Sequence, residues 1–343
     1  MPISEDMHVK RSRQKAIFVT LIFLSLSSFF VACANGSFEL SVFALLQDGI
    51  PELHKTVFFD IRLPRVLLSG LVGASLGLCG AALQGLFRNP LADPGLIGVS
   101  AGAALGAALI IVFGPTFFAK SDLGGFLLPL AGMVGAALTI AVLYLSTGGF
   151  TSHGVSHMLL VGIAINAMSG VCIGVLTYIS NDAELRTLTF WTMGSFGGVS
   201  WPIIFPVVAI IITATGCMLT TYRKLDIIQL GEVEAYRLGV DVRQLKYRII
   251  LCSAAAVGAS VSVSGIIGFV GLIVPHIMRL IGGVNHSYLL PASALFGAFL
   301  MICADVVARI LIQPAELPIG LITSAIGSPF FLWLIFRMNK HEY

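Results

Sequence analysis

Apolar residues in this chain come in runs of about 20, the length at which an α-helix crosses the hydrocarbon core of a bilayer. Ten such runs are predicted as spans: 16–34, 63–86, 96–114, 126–146, 156–178, 202–221, 248–266, 268–284, 288–312 and 318–337. Gly265 and Gly268 leave only a very tight turn between the seventh and the eighth. Polar residues gather between the runs, and the longest internal polar segment is Tyr222 to Tyr247. Lys10, Arg11, Arg13 and Lys15 precede the first run, which ends in Ala32-Cys33-Ala34, a pattern shared with secretory leaders. Its apolar stretch exceeds the ~7–15 residues of such leaders, so an uncleaved first span is expected.

Composition agrees with lipid as the main solvent. Of 343 residues, 57% are hydrophobic and 11% charged, whereas a soluble domain carries about a quarter charged residues. The net charge of +3 sits in clusters, which points to membrane topology and away from nucleic acid. With the N-terminus inside, 14 of the 20 Lys and Arg residues fall on the cytoplasmic side. A multi-pass protein of the inner membrane with both termini cytoplasmic is therefore expected. The six cysteines stand singly in apolar segments without a CxxC pair and read as small buried hydrophobes.

Small residues recur at helical spacing in Gly73/Gly77, Gly102/Gly106 and Gly170/Gly174, which allows close helix approach, within one subunit or between two. Val72-Gly-Ala-Ser75 with Gly80 reappears as Val257-Gly-Ala-Ser260 with Gly265, and at the same offset Pro90 falls on Pro275. Five spans separate the two copies, an odd number, so they run in opposite directions. Inverted repeats of this kind are common in transporters. No phosphate-binding G-x-x-x-x-G-K-[ST] loop, HExxH or nucleophile elbow occurs. The chain is read as no enzyme, with no catalytic, metal or cofactor site of its own. Asp305 is the only acid deep in a predicted span, fewer than an ion-coupled secondary transporter usually carries. An intramembrane enzyme built on Asp305 and His276 lacks a nucleophile or metal beside them.

Three segments suggest how such a protein works. Leu230 to Gly239 carries mixed charges at helical spacing between glycines, and reads either as a surface helix pair that docks a soluble partner or as a solvated loop. Arg88-Asn-Pro-Leu-Ala-Asp-Pro-Gly95 forces a turn that is either a connector or a gate. Arg62, Arg65 and Arg309 form a basic outer rim, suited to gripping carboxylates of an extracytoplasmic protein or to snorkelling toward headgroups.

Six ordered motifs then become familiar: Arg62-Leu-Pro-Arg65, Asn89-Pro-Leu-Ala-Asp-Pro-Gly95-Leu-Ile-Gly98, Phe190-Trp191-Thr-Met-Gly194, Leu230-Gly with Ala235-Tyr-Arg-Leu-Gly239, Gly268 to Arg279, and Ala315-Glu-Leu-Pro-Ile-Gly320. Over residues 16 to 338 the chain resembles the FecCD-type permeases of ABC importers for iron-siderophores, heme and vitamin B12. The resemblance implies an all-α membrane protein of type II ABC importer architecture: about ten transmembrane helices in one domain, with an internal inverted repeat. It further implies a homodimer, two copies of a cytoplasmic ATPase that supplies ATP hydrolysis, and a periplasmic binding protein. By the same likeness Arg62, Arg65 and Arg309 would engage that binding protein. Asn89, Leu91, Ser152 and His153 would form the cytoplasmic gates. Glu232, Ala235, Tyr236, Arg237, Leu238 and Gly239 would lie in the coupling helices of the 222–247 loop, and span 5 with the Asp182–Trp201 segment would line the pathway. Gln84 to Gly95 looks most like the heme and vitamin B12 branches, so heme is expected first, a ferric siderophore second and cobalamin third.

Overall fold

The computed structural model describes residues 2–36, 52–117, 124–148 and 155–339. These residues fold almost entirely into helix, with no strand among them. In chain order the helices are α1 (Pro2–Ala34), α2 (Glu52–Thr56), α3 (Leu63–Phe87), α4 (Val99–Phe117), α5 (Leu127–Ser146), α6 (Val155–Ile179) and α7 (Asp182–Met193). They continue with α8 (Trp201–Leu219), α9 (Tyr222–Ile228), α10 (Glu232–Arg237), α11 (Val242–Ser264), α12 (Val270–Gly282), α13 (His286–Ile310) and α14 (Ile319–Asn339). Eight helical stretches are long and apolar enough to cross a membrane; α12 and the Ile319–Trp333 part of α14 are shorter apolar helices.

Several boundaries differ from the hydrophobic pattern, each for a local reason. The eighth run was expected over 268–284, but α12 has only 13 residues, or about 20 Å at 1.5 Å per residue. Gly265 at φ 70° and Phe269 at φ 67° hold the backbone left-handed, so the chain stays non-helical between α11 and α12. A π-helical turn over Val57–Arg62 joins α2 to α3, which makes Glu52–Phe87 one helical stretch. Helix α11 starts at Val242, capped where the Asp241 side chain accepts from the Gln244 N–H at 2.9 Å.

The packing carries the internal repeat. Helix α3 packs against α12 and α13, while α11 packs against α4 and α5, so the echoed helix of each half is inserted into the other half. A Cβ on Gly73 would strike the Gly297 carbonyl, and one on Gly77 the Ser293 carbonyl. In the other seam a Cβ on Gly258 would meet Ala136, and Ser262 lies against Gly132. Gly258 and Ser262 stand 185 residues beyond Gly73 and Gly77, as Ser260 stands beyond Ser75. Ser293 and Gly297 stand 161 residues beyond Gly132 and Ala136. The two seams are thus one contact made twice with opposite chain direction. Ser260 Oγ lies 3.4 Å from Ser75 Oγ, a contact between repeat equivalents that straddles the axis relating the halves. Gly102 and Gly106 likewise abut α5 backbone at Gly135 and Ala131, whereas nothing lies within 4 Å of a Cβ on Gly170 or Gly174.

Candidate functional site

Helices α3 and α13 run antiparallel along this seam, and polar side chains gather at both ends of the pair. Arg65 and Gln84 lie 19 residues apart on α3, which sets the two ends about 30 Å apart. At the first end, the Asp305 carboxylate is 1% exposed and lies between two arginines. Arg65 Nη2 approaches its Oδ1 at 2.9 Å, and Arg309 Nε its Oδ2 at 3.1 Å. Arg65 also donates from Nη1 to both oxygens of the half-exposed Glu316 at 2.9 Å. Arg62 Nη1 donates to the carbonyls of Cys33 and Ala34 at 3.1 and 2.9 Å. Arg309 donates to Asn35 and Ala32 at 3.0 and 3.1 Å. The last carbonyls of α1 have no helical partner, and guanidinium groups complement both these acceptors and the negative helix end. All three arginines are buried, and each has acceptors within the chain.

The opposite end is built around α9. Asp226 Oδ1 accepts from the His286 backbone N–H at 2.8 Å and lies 2.7 Å from the His286 Nδ1. Gln229 Nε2 donates to the carbonyls of Gly85 and Leu225 at 2.8 and 2.9 Å. Helix α9 is thereby clamped to the end of α3 and the start of α13. Beside the clamp lies a cavity of 620 Å³ whose wall includes Gln84, Arg88, Asn89, Asp226, Arg279 and His286.

From this end the 88–98 segment enters the bundle. Asn89 Oδ1 accepts from Leu91 N–H at 2.9 Å, and Asp93 Oδ1 from Gly95 N–H at 2.8 Å, two side-chain turns that fold the segment on itself. Burial pushes the Asp93 carboxyl above its ordinary range, opposed by the bond from Gly95. Asn166 Nδ2 on α6 donates to the Gly95 carbonyl at 3.1 Å and fixes the segment to α6. Next in the same region, α10 buries Ala235 and pairs Glu232 with Lys246 at 2.7 Å. Leu230, Val233, Tyr236 and Leu238 stay 60–76% exposed, an apolar patch on an otherwise charged loop. At the other side of the bundle a cavity of 440 Å³ is lined by Arg186, Phe190, Trp191 and Ser264. Arg186 lies over the Phe190 ring at 5.7 Å.

The chain matches the FecCD transport family over residues 17–337. This chain belongs to that family. It is 44% identical over 330 residues to the hemin transport system permease protein HmuU of Yersinia pestis, covering 95% of this chain and 96% of that one. It is 36% identical over 336 residues to the vitamin B12 import system permease protein BtuC of Vibrio parahaemolyticus, covering 96% of each. Among solved structures it superposes with a TM-score of 0.83 and 34% identity on a chain described as an inward-facing conformation of a metal-chelate type ABC transporter, covering 94% of this chain and 99% of that one. The FecCD chain is a multi-pass membrane permease subunit of an ABC importer.

Within this FecCD permease the structure groups the sequence-nominated residues unevenly. Arg62, Arg65 and Arg309 come together at one end of the α3–α13 pair, while Asn89 and Leu91 lie in the folded segment at the other. Ser152 and His153 lie outside the described residues. Of the 232–239 stretch, Tyr236, Arg237 and Leu238 face outward, Glu232 is paired, Ala235 is buried, and Gly239 turns the chain at φ 83°. Sequence reasoning did not single out Asp226, Gln229, His286 or Asn166, whose contacts are long-range. It also missed helix α7, although Asn181 and Glu184 form a reciprocal capping box at its start, a pattern legible in the sequence.

Proposed function

We propose that this permease carries heme from an extracytoplasmic binding protein to the cytoplasm by alternating access, as a homodimer driven by two copies of a separate cytoplasmic ATPase. The observation that carries the substrate is the 44% identity, over nearly the whole of both chains, to a protein named as a hemin permease. A ferric siderophore is the second reading and cobalamin the third, the latter suggested by relatives named as vitamin B12 permeases. The loop holding α9 and α10 faces the cytoplasm, and its exposed apolar patch with Tyr236, Arg237 and Leu238 receives the ATPase. Glu232, Ala235 and Gly239 hold the shape of that surface. The open Gly170/Gly174 stripe of α6, flanked by exposed Met168, Val171 and Val175, meets the second subunit and lines the path. The Arg186–Phe190–Trp191 cavity lies toward the outer mouth, and Asn89 and Leu91 form the inner gate.

Docking of the binding protein uses Arg62, Arg65 and Arg309, with Arg65 as the reachable member. Glu316, half exposed and paired with Arg65, holds the position that a partner carboxylate takes on docking. The test is uptake of heme, ferric siderophores and cobalamin in a strain that lacks only this chain. Loss of heme uptake alone, restored by the wild-type chain, is expected. Loss of siderophore or cobalamin uptake instead reverses the substrate ranking, and unchanged uptake of all three overturns the reading.

A further inference from the structure

At the α9 end of the α3–α13 pair, the 620 Å³ cavity is walled by two cations whose side chains have no acceptor among the described residues. Neither the Arg88 nor the Arg279 side chain makes a hydrogen bond or ion pair with any described residue. The one carboxylate in the wall, Asp226, is already engaged by His286. Among the wall amides, Asn89 and Asn285 engage their Oδ1 atoms with the N–H groups of Leu91 and Ser287, which leaves their NH2 donors for a phosphate. The Arg88 backbone is pinned in the left-handed conformation at φ 50°, its N–H donating to the Gln84 and Gly85 carbonyls. That conformation sets the direction in which its side chain leaves α3.

Beside this cationic cavity runs an apolar skin. Val284, itself part of the wall, is 68% exposed, and Leu280 and Ile281 on the last turn of α12 are 57% and 40% exposed. A soluble anion needs only the arginines. A molecule with an anionic head and an apolar tail satisfies both features at once, and cationic pockets between membrane helices at the headgroup level take such lipids.

We propose that this cavity seats the phosphate of an anionic membrane lipid between Arg88 and Arg279, with the lipid chains lying along Leu280, Ile281 and Val284. Because the wall also holds Asn89 of the gate segment and Asp226 of α9, the lipid would tie these two elements together at the membrane surface.

The full-length permease in phosphatidylcholine nanodiscs, with and without phosphatidylglycerol, tests this by native mass spectrometry and thermal unfolding. Phosphatidylglycerol is expected to be retained in preference to phosphatidylcholine and to raise the unfolding temperature. Arg88→Gln and Arg279→Gln are each expected to weaken retention about five-fold, and the pair more than about twenty-fold. Arg88→Lys with Arg279→Lys keeps the charge and should retain most of the binding. Val284→Glu introduces a repelling charge at an exposed position where folding is not at stake, and is expected to lower retention. Equal retention of both lipids by wild type, or wild-type retention by the Val284→Glu and paired Gln variants, overturns the proposal. If glycerol phosphate in solution protects the protein as strongly as phosphatidylglycerol, the site belongs to a soluble anion and the lipid assignment falls.

Discussion

The two ends of the α3–α13 pair carry similar residue types in opposite states. At the end near Asp305, three arginines are buried against acceptors supplied by the chain itself, four of them carbonyls of residues 32–35. At the α9 end, Arg88 and Arg279 face a cavity and have no acceptor among the described residues. In the sequence all five of these arginines simply stand near the ends of apolar runs. Only the fold separates those that hold helices together from those that are free to bind something else.

This contrast is most strongly challenged at Asp305. Asp305→Ala leaves Arg65 and Arg309 buried without their shared carboxylate, an expected loss of about 3–5 kcal/mol. Thermal unfolding in detergent should show a large drop or the absence of monodisperse protein, and a wild-type curve would mean that this end is held by other contacts. A smaller loss of about 1–3 kcal/mol is expected from Asp226→Ala, which strips the buried His286 N–H and ring of their acceptor. Hydrogen exchange should show this as faster opening of α9, and unaltered protection there would argue against the clamp. Glu316→Gln removes one arm of a half-exposed pair and should change stability by less than about 1 kcal/mol. Its larger effect is expected on binding-protein affinity, which should rise as Arg65 loses its internal competitor; a fall would place Glu316 itself in the docking contact. Arg88→Gln or Arg279→Gln should stay within about 0.5 kcal/mol in lipid-free detergent, since neither side chain has a hydrogen bond or ion pair with a described residue to lose. A loss as great as that of Arg65→Gln would erase the distinction between the two ends.

Much of the architecture was legible because the bilayer demands runs of apolar residues, and each of the ten predicted runs corresponds to a helix. The short α12 was not, because Phe269 adopts a positive φ that its residue type does not announce. The 185-residue echo was visible through identical residues in α3 and α11. Its 161-residue counterpart in α5 and α13 was hidden, since Gly132 and Ala136 are answered by Ser293 and Gly297, equal in smallness but not in identity. The arginine rim was legible as residues, and Asp305 with Arg309 already stood at helical spacing. The engagement of Arg309 with the end of α1 was not, because it joins positions more than 270 residues apart.

Ser75 and Ser260 meet on the axis that exchanges the halves, so their contact is its own mirror in the repeat. Altering both leaves the halves matched, and the perturbation acts alike on any two conformations that differ by swapping their roles. Gly77 against Ser293 has a separate image in Ser262 against Gly132, with the bare backbone on the other partner. A side chain added at Gly77 therefore weighs on one half alone. Axis positions therefore bear on how firmly the two halves are joined, and seam positions bear on one half at a time.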